Sequence, residues 1–272
     1  MTRFGLDDVT VDEDGETALA TVDLDVTPGS ITVLIGADVA GKSTAARVMV
    51  GLRRPDGGRV RRPADRRRIG YQPEAAGTWA ELTVAENLAF VASAHRMGSA
   101  GVDRIEALLD VTALTSATGR LAGRLSGGMR QKLAVAMAML PEPELAVLDE
   151  ATTGLDPVSR AELWRLLARA AAEGTAVLAT TSYLDEAERA DEVVVLDEGR
   201  VLAAGTAGEI RAGFAGTMAV SETAIPTGHA WRRGSHWRVW SPNGSHPPGS
   251  SLVAPDLEDV VTAAAIRRRE GR

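Results

Sequence analysis

The sequence of 272 residues has no cysteine, so it holds no disulfide framework, no thiolate metal site and no thiol nucleophile. It has only four histidines, His95, His229, His236 and His246. Their scatter along the chain argues against a zinc site. No apolar run approaches the roughly 20 residues needed to cross a bilayer. The opening MTRFGLDDVTVDEDGE carries no apolar leader segment. A soluble cytoplasmic protein is the expectation. Positive charge is in deficit, with 30 Lys and Arg against 37 Asp and Glu and a net charge of −7. That balance argues against nucleic acid as the main partner.

What is present is apolar sequence in short runs, 44% of the chain, enough for a substantial core. FGLDDVTV and ALATVDLDV alternate apolar and polar residues, the pattern of half-buried antiparallel strands. PGSITVLIG, ELAVLDE and TAVLATT are continuous apolar runs, the pattern of buried central strands. Between them lie helical stretches: KSTAARVMVGL, TVAENLAFVASAHRM, VDRIEALLDVTAL, GGMRQKLAVAMAML and DPVSRAELWRLLARAAAEG. Thr83 and Glu86 are spaced as a capping box, and Pro157 suits a first helical turn. Tyr183 to Asp191 reads as a further helix, and DEVVVLDEGRVLAAG reads as a hairpin turning at Glu198-Gly199. Strands alternating with helices predict an α/β fold with a mainly parallel central sheet and a smaller antiparallel β layer at the N-terminus. Composition shifts after Phe214 to a turn-rich stretch with Trp231, Trp237 and Trp240, closed by the helical PDLEDVVTAAAIRRRE. The expected division is therefore 1–214 and a small appended α+β module, 215–272. The arginines at 53, 54, 59, 61, 62, 66, 67 and 68 form a dense basic run. It reads as a solvated loop between two strands in preference to a contact with anionic lipid or RNA.

Three stretches carry chemistry. ITVLIGADVAGKST places Gly36, Gly41, Lys42 and Ser43 at the fixed positions of a phosphate loop between a strand and a helix. Loop amides from Gly36, Ala37, Asp38, Val39, Ala40 and Gly41, and the first amides of the helix through Thr44, would cradle phosphate oxygens. Lys42 would reach the β- and γ-phosphates, and Ser43 would ligate Mg²⁺. ELAVLDE ends in Asp149 and Glu150. Asp149 would hold Mg²⁺ through water, and Glu150 would polarise the attacking water. In LSGGMRQKL, Ser126, Gly127 and Gly128 open another helix and offer a second anion-binding end. One chain needs only one such cradle, so the second suggests service to a nucleotide held by another subunit.

These motifs in this order resemble the ATP-binding subunit of ATP-binding cassette (ABC) transporters over about residues 3 to 213, with TTGLDP, residues 152 to 157, as the D-loop. The resemblance implies a P-loop NTPase fold with a helical signature subdomain at about 79–140. It implies ATP and Mg²⁺ as cofactors and ATP hydrolysis as the activity. LTVAENL, YLDEAERAD and LDEGRVLAAGT look like the subgroup that powers exporters of drugs, lipids or polysaccharides. The implied partners are a separate transmembrane permease and a second ATP-binding subunit, placing the chain at the inner face of the cell membrane. Each ATP would lie between one subunit's phosphate loop and the other's signature motif.

The departures from the family pattern are specific. VDEDGE has no aromatic residue where the family stacks adenine. Val39 replaces a glycine and is strained if its φ is positive. The Q-loop glutamine appears as Glu74, with Gln72 two positions early. The switch histidine is Ser182. Glu150, Glu74 and Ser182 are thus the catalytic set, and the altered residues suggest a slow site paired with a competent partner chain, a heterodimer. Two other readings stay open: a soluble ABC ATPase acting on ribosomes or another macromolecule, and a regulatory ATP-binding module with little turnover.

Overall fold

The structure is a computed structural model that describes residues 3–225 and 229–270. In chain order the elements begin with β1 (Phe4–Glu13), β2 (Glu16–Val26), β3 (Ile31–Ile35), α1 (Lys42–Val50), β4 (Gly57–Arg61) and β5 (Ile69–Gln72). Next come α2 (Val84–Ala94), α3 (Ala100–Val111), α4 (Gly127–Met139), β6 (Leu145–Asp149), α5 (Pro157–Ala172) and β7 (Ala176–Thr181). Then follow α6 (Leu184–Ala187), β8 (Glu192–Asp197), β9 (Arg200–Gly205) and α7 (Ala207–Ala212). The last are β10 (Thr217–Ser221), β11 (Ala230–Arg233), β12 (His236–Ser241), β13 (Ser251–Val253) and α8 (Leu257–Glu270). Two compact units form, Met1–Val201 and Leu202–Arg272. The division falls within β9, earlier than the composition shift after Phe214.

The first unit is built on a sheet of order β5-β6-β7-β3-β8-β9. The pairs β5–β6, β6–β7, β7–β3 and β3–β8 are all parallel. Every residue of β3, β6 and β7 is buried, as continuous apolar runs require when both faces are covered. A second sheet, β2-β1-β4, is antiparallel. α1 lies in the core these layers share: Ala45, Ala46, Val48 and Met49 are fully buried with Leu6, Val9, Leu19, Leu145, Val147 and Leu178. Fixing α1 fixes the phosphate loop that precedes it. The helices α2, α3 and α4 form the helical part, opened by the Thr83–Glu86 capping box. Among the described residues no helix is long and apolar enough to cross a membrane.

Two expectations are corrected. The basic run is not one loop: β4 forms inside it, taking Arg59 and Arg61, and pairs with β1. Four of its arginines are matched to carboxylates, Arg61 to Asp7 and Asp25, Arg53 to Asp56, Arg67 to Asp65 and Arg68 to Glu144. The helix expected over 183–191 is a single turn. Asp191 is drawn back to the sheet, where its amide donates to Ile31 O (3.0 Å) and its carboxylate accepts from Ile31 N (2.8 Å). That anchorage outweighs helix propensity.

The second unit is a four-stranded antiparallel sheet, β11-β12-β10-β13, with α8 packed on β12. Met218, Trp240 and Ala263 form its core, with Phe214, Trp231, Val253 and Ile266 around them. Trp237 is absent from that cluster because it sits one residue out of phase with Arg238 and Trp240, on the other face of β12. Asp259 is 0% exposed. It takes Arg238 Nε at 2.9 Å, and it exchanges backbone caps with Asp256 at 3.0 Å each way. Asp259→Ala would leave Arg238 without its buried partner, at an expected cost of about 3–5 kcal/mol. Hydrogen exchange should quicken at the β10 and β12 amides and stay unchanged in β3, β6 and β7; unchanged β10 exchange would contradict the assigned role.

Candidate functional site

β3 ends at Ile35 and the chain enters a loop that glycine geometry confines. A Cβ at Gly36 would lie 2.3 Å from Leu196 O, and one at Gly41, where φ is +103°, 2.6 Å from Ala18 O. The loop is pinned by Ala40 N–H to Ala37 O (3.1 Å) and by Gly199 N–H to Ala40 O (2.9 Å). Val39 does adopt the left-handed region, φ +62°, and its side chain is 99% exposed. For a β-branched residue this costs on the order of 1–2 kcal/mol with no burial to offset it. α1 has no side-chain cap and no acid in its first turn, whereas α2, α4, α5 and α7 are capped by Thr83, Ser126, Asp156 and Thr206. The opening amides of α1 thus lack a side-chain cap, and an anion at this helix start would satisfy them.

Lys42 is buried, and its ammonium is fully engaged. It donates to Gly36 O (2.7 Å), Ala37 O (3.1 Å) and Ser182 Oγ (3.0 Å). It also lies 3.1 Å from Glu150 Oε1. Ser182 Oγ donates to the same Oε1 at 2.9 Å, closing a triangle of Lys42, Ser182 and Glu150. The other carboxylate oxygen, Oε2, accepts from Thr153 Oγ1 at 2.8 Å. Burial pushes the Glu150 carboxyl up, but donation from Thr153, Ser182 and Lys42 together holds it below the ordinary glutamate value. Glu150 itself has φ +51°, held by its N–H to Thr180 Oγ1 at 3.0 Å.

Beside the triangle, Ser43 Oγ donates to Asp149 Oδ1 (3.1 Å), which also accepts from Thr180 Oγ1 (2.6 Å). Asp149 Oδ2 is buried and has no hydrogen-bond partner. An orphaned carboxylate oxygen beside the cleft-lining Ser43 hydroxyl fits a hard cation whose remaining ligands would be water and phosphate. No group of three or more Asp, Glu or His side chains is placed to hold a metal among the described residues.

One cleft of about 620 Å³ gathers Asp38, Val39, Ala40, Gly41, Lys42, Ser43, Thr44, Glu74, Glu150 and Ser182. Gly36 and Ala37 lie outside its lining and contribute carbonyl oxygens to Lys42. Asp149 sits beneath, reached through Ser43. Glu74 is exposed on the cleft, while Gln72 is buried and donates its amide to Pro73 O and Asp149 O. Ser126 and Gly127 are exposed at the start of α4 and, with Gly128, are not part of this cleft. Ser126 Oγ accepts from Met129 N–H at 3.2 Å as the helix cap.

Sequence reading missed several contributors. Glu13, Glu16, Thr17 and Ala18 form a wall, so the cleft carries five carboxylates (Glu13, Glu16, Asp38, Glu74, Glu150) against Lys42. The acidic VDEDGE stretch was the available signal for that wall. Thr153 and Tyr183 also line the cleft, and Arg160 stands 4.4 Å over the Tyr183 ring. Gln131 on α4 donates to Glu150 O at 3.1 Å and ties the signature helix to the end of β6. Only the fold brings these residues to the site.

The Lys42 and Glu150 side chains are 6% and 11% exposed, so removing either leaves the other nearly buried and unmatched. Lys42→Met and Glu150→Gln should each destabilise the nucleotide-free protein. The expected cost is at the lower end of about 3–5 kcal/mol, because the cleft is open to water. The double variant should cost less than the two together. Urea denaturation measures all four proteins; strictly additive losses would refute the pairing.

The chain is similar to known proteins over most of its length. The family described as "ABC transporter" matches residues 19–153. The probable multidrug ABC transporter ATP-binding protein YbhF of Escherichia coli (strain K12) is 41% identical over 195 residues, 68% of this chain and 34% of that protein. The daunorubicin/doxorubicin resistance ATP-binding protein DrrA of Streptomyces peucetius is 39% identical over 208 residues, 72% of this chain and 63% of that protein. The chain thus spans about a third of the first and less than two thirds of the second. Among solved structures, an ATP-binding subunit of an ABC transporter superposes with a TM-score of 0.72 at 33% identity, covering 78% of this chain and 92% of that one. Matched by the family over residues 19–153 and by a solved ATP-binding subunit over 92% of that subunit's length at 33% identity, the chain belongs to the ATP-binding subunits of the ABC transporter family.

Proposed function

We propose that the chain is the ATP-binding and ATP-hydrolysing subunit of an exporter, acting by ATP-dependent pairing with a second cassette, and that its own site is the slow one of the pair. The observation that carries this is the Lys42–Ser182–Glu150 triangle: the cation and the carboxylate are present, but the residue bridging them is a neutral hydroxyl. ATP would lie with its phosphates on the loop amides and Lys42, the γ-phosphate toward Ser182 and Glu150. Glu150 accepts the proton of the attacking water. Mg²⁺, held by Ser43 and through water by Asp149, would neutralise phosphate charge. Ser126 and Gly127, exposed at the head of α4, and the half-buried Gly128 beside them would serve the partner's nucleotide. The partner is a different chain, since a homodimer would carry two altered sites. A separate permease would hold the pair at the inner face of the membrane. The relatives named for drug resistance and multidrug transport support an amphiphilic exported substrate.

Histidine at a switch position offers a charged donor to the transition state, and serine offers a shorter neutral one. Losing one such preorganised donor costs ~2.7–4 kcal/mol, or roughly 10²–10³ in rate. The loss here sits at the low end, because Lys42 remains. Ser182→His should therefore raise hydrolysis at this site, measured in the complex with the partner's equivalent glutamate disabled. ATP affinity should change little. A wild type that already turns over as fast as the histidine variant would rule out the slow-site reading. Glu150→Gln should trap an ATP-bound pair on size exclusion; monomer alone, with and without the copurifying partner, would rule out the pairing.

A further inference from the structure

We infer that Thr153 is a positioning residue for hydrolysis, holding the Glu150 carboxylate in place when ATP takes Lys42 away from it. The inference rests on the ATPase reading above and deepens it.

The two oxygens of Glu150 are held differently. Oε1 is held by Lys42 at 3.1 Å and Ser182 at 2.9 Å. Both are groups that a γ-phosphate would recruit, because an ammonium and a hydroxyl prefer a phosphate carrying more charge than a carboxylate. Oε2 is held by Thr153 Oγ1 at 2.8 Å. Thr153 belongs to the turn that follows Glu150, closed by Thr153 N–H to Glu150 O at 3.1 Å. It therefore moves with Glu150 and stays bonded when Lys42 leaves. It also lines the same cleft, on the side from which water would reach Glu150.

The turn is anchored independently of the nucleotide. Thr180 holds the Glu150 amide, and Gln131 donates to the Glu150 carbonyl. The neighbouring Thr152 Oγ1 donates to the buried Glu186 at 2.9 Å. With the backbone fixed at both ends, the free variable is the carboxylate's rotamer, and Thr153 is the contact that sets it. A neutral Ser182 makes this contact matter more, since no second cation replaces Lys42 at Oε1.

The test uses the full chain in the complex it copurifies with, the partner's equivalent glutamate replaced, and reads single-turnover hydrolysis of radiolabelled ATP. Thr153→Val keeps the shape and removes the hydroxyl. It should slow the rate roughly tenfold, the size of a lost hydrogen bond to a charged group, with ATP affinity unchanged and the protein still folded at the assay temperature. Thr153→Ser should restore the rate. In a Glu150→Gln background Thr153→Val should add no further loss, because the two act through one carboxylate. If Thr153→Val fails to fold, Thr153→Ala carries the same comparison with serine. A valine variant as fast as wild type, a serine variant as slow as valine, or a full tenfold loss in the Glu150→Gln background each overturns the inference while leaving the ATPase reading intact. A wild-type rate no higher than that of Glu150→Gln overturns both.

Discussion

A lysine ammonium buried at the mouth of a loop is the constraint on which the rest of the site depends. Burying a charge without partners is too costly to persist. Lys42 is given four, from three places: loop carbonyls at Gly36 and Ala37, Ser182 beyond the end of β7, and Glu150 beyond the end of β6. Those partners converge because β6, β7 and β3 are adjacent and parallel, so their carboxyl ends share one edge. The parallel order in turn requires all three strands to be buried on both faces, which the continuous apolar runs supply. Sequence, sheet order and site are thus one chain of necessity. Moving β7 out of its place between β6 and β3 would leave Lys42 without Ser182, and Glu150 without Thr180.

The same logic explains what could be read from the sequence. The loop from Gly36 to Ser43 and the acids at 149–150 are legible because fixed spacing and a flanking strand define them locally. The value of φ at Val39 was legible as a condition, and the structure meets it. Thr153, Gln131 and the wall of Glu13 to Ala18 were not, because their roles depend on which surfaces the tertiary fold places opposite each other. β4 was hidden by its arginines, which read as solvated charge until Asp7 and Asp25 were seen across from Arg61. The helix after Ser182 was overestimated because helix propensity counts acidic residues and does not see that Asp191 caps Ile31 on β3. The unit boundary within β9 leaves no compositional mark at all, since its strand pattern runs straight through.

The cleft's electrostatics set how such a site can bind. Five carboxylates face one lysine that is already paired. A triphosphate entering alone meets repulsion from the Glu13–Glu16 wall and must also displace Glu150 from Lys42. A divalent cation arriving with the nucleotide would offset part of the first cost, and the orphaned Asp149 Oδ2 would be the oxygen left to meet that charge. The wall offers no aromatic face at Glu13, Glu16, Thr17 or Ala18, so the nucleoside end gains no stacking there. The grip is then concentrated at the phosphates, on amides and one lysine. A site built this way discriminates by phosphate number more than by base, because each phosphate lost removes a large fraction of the contacts. Loss of the γ-phosphate would leave Lys42 only the β-phosphate as an anionic ligand, so Glu150 and Ser182, its partners in the nucleotide-free triangle, would compete for it more strongly in the diphosphate state.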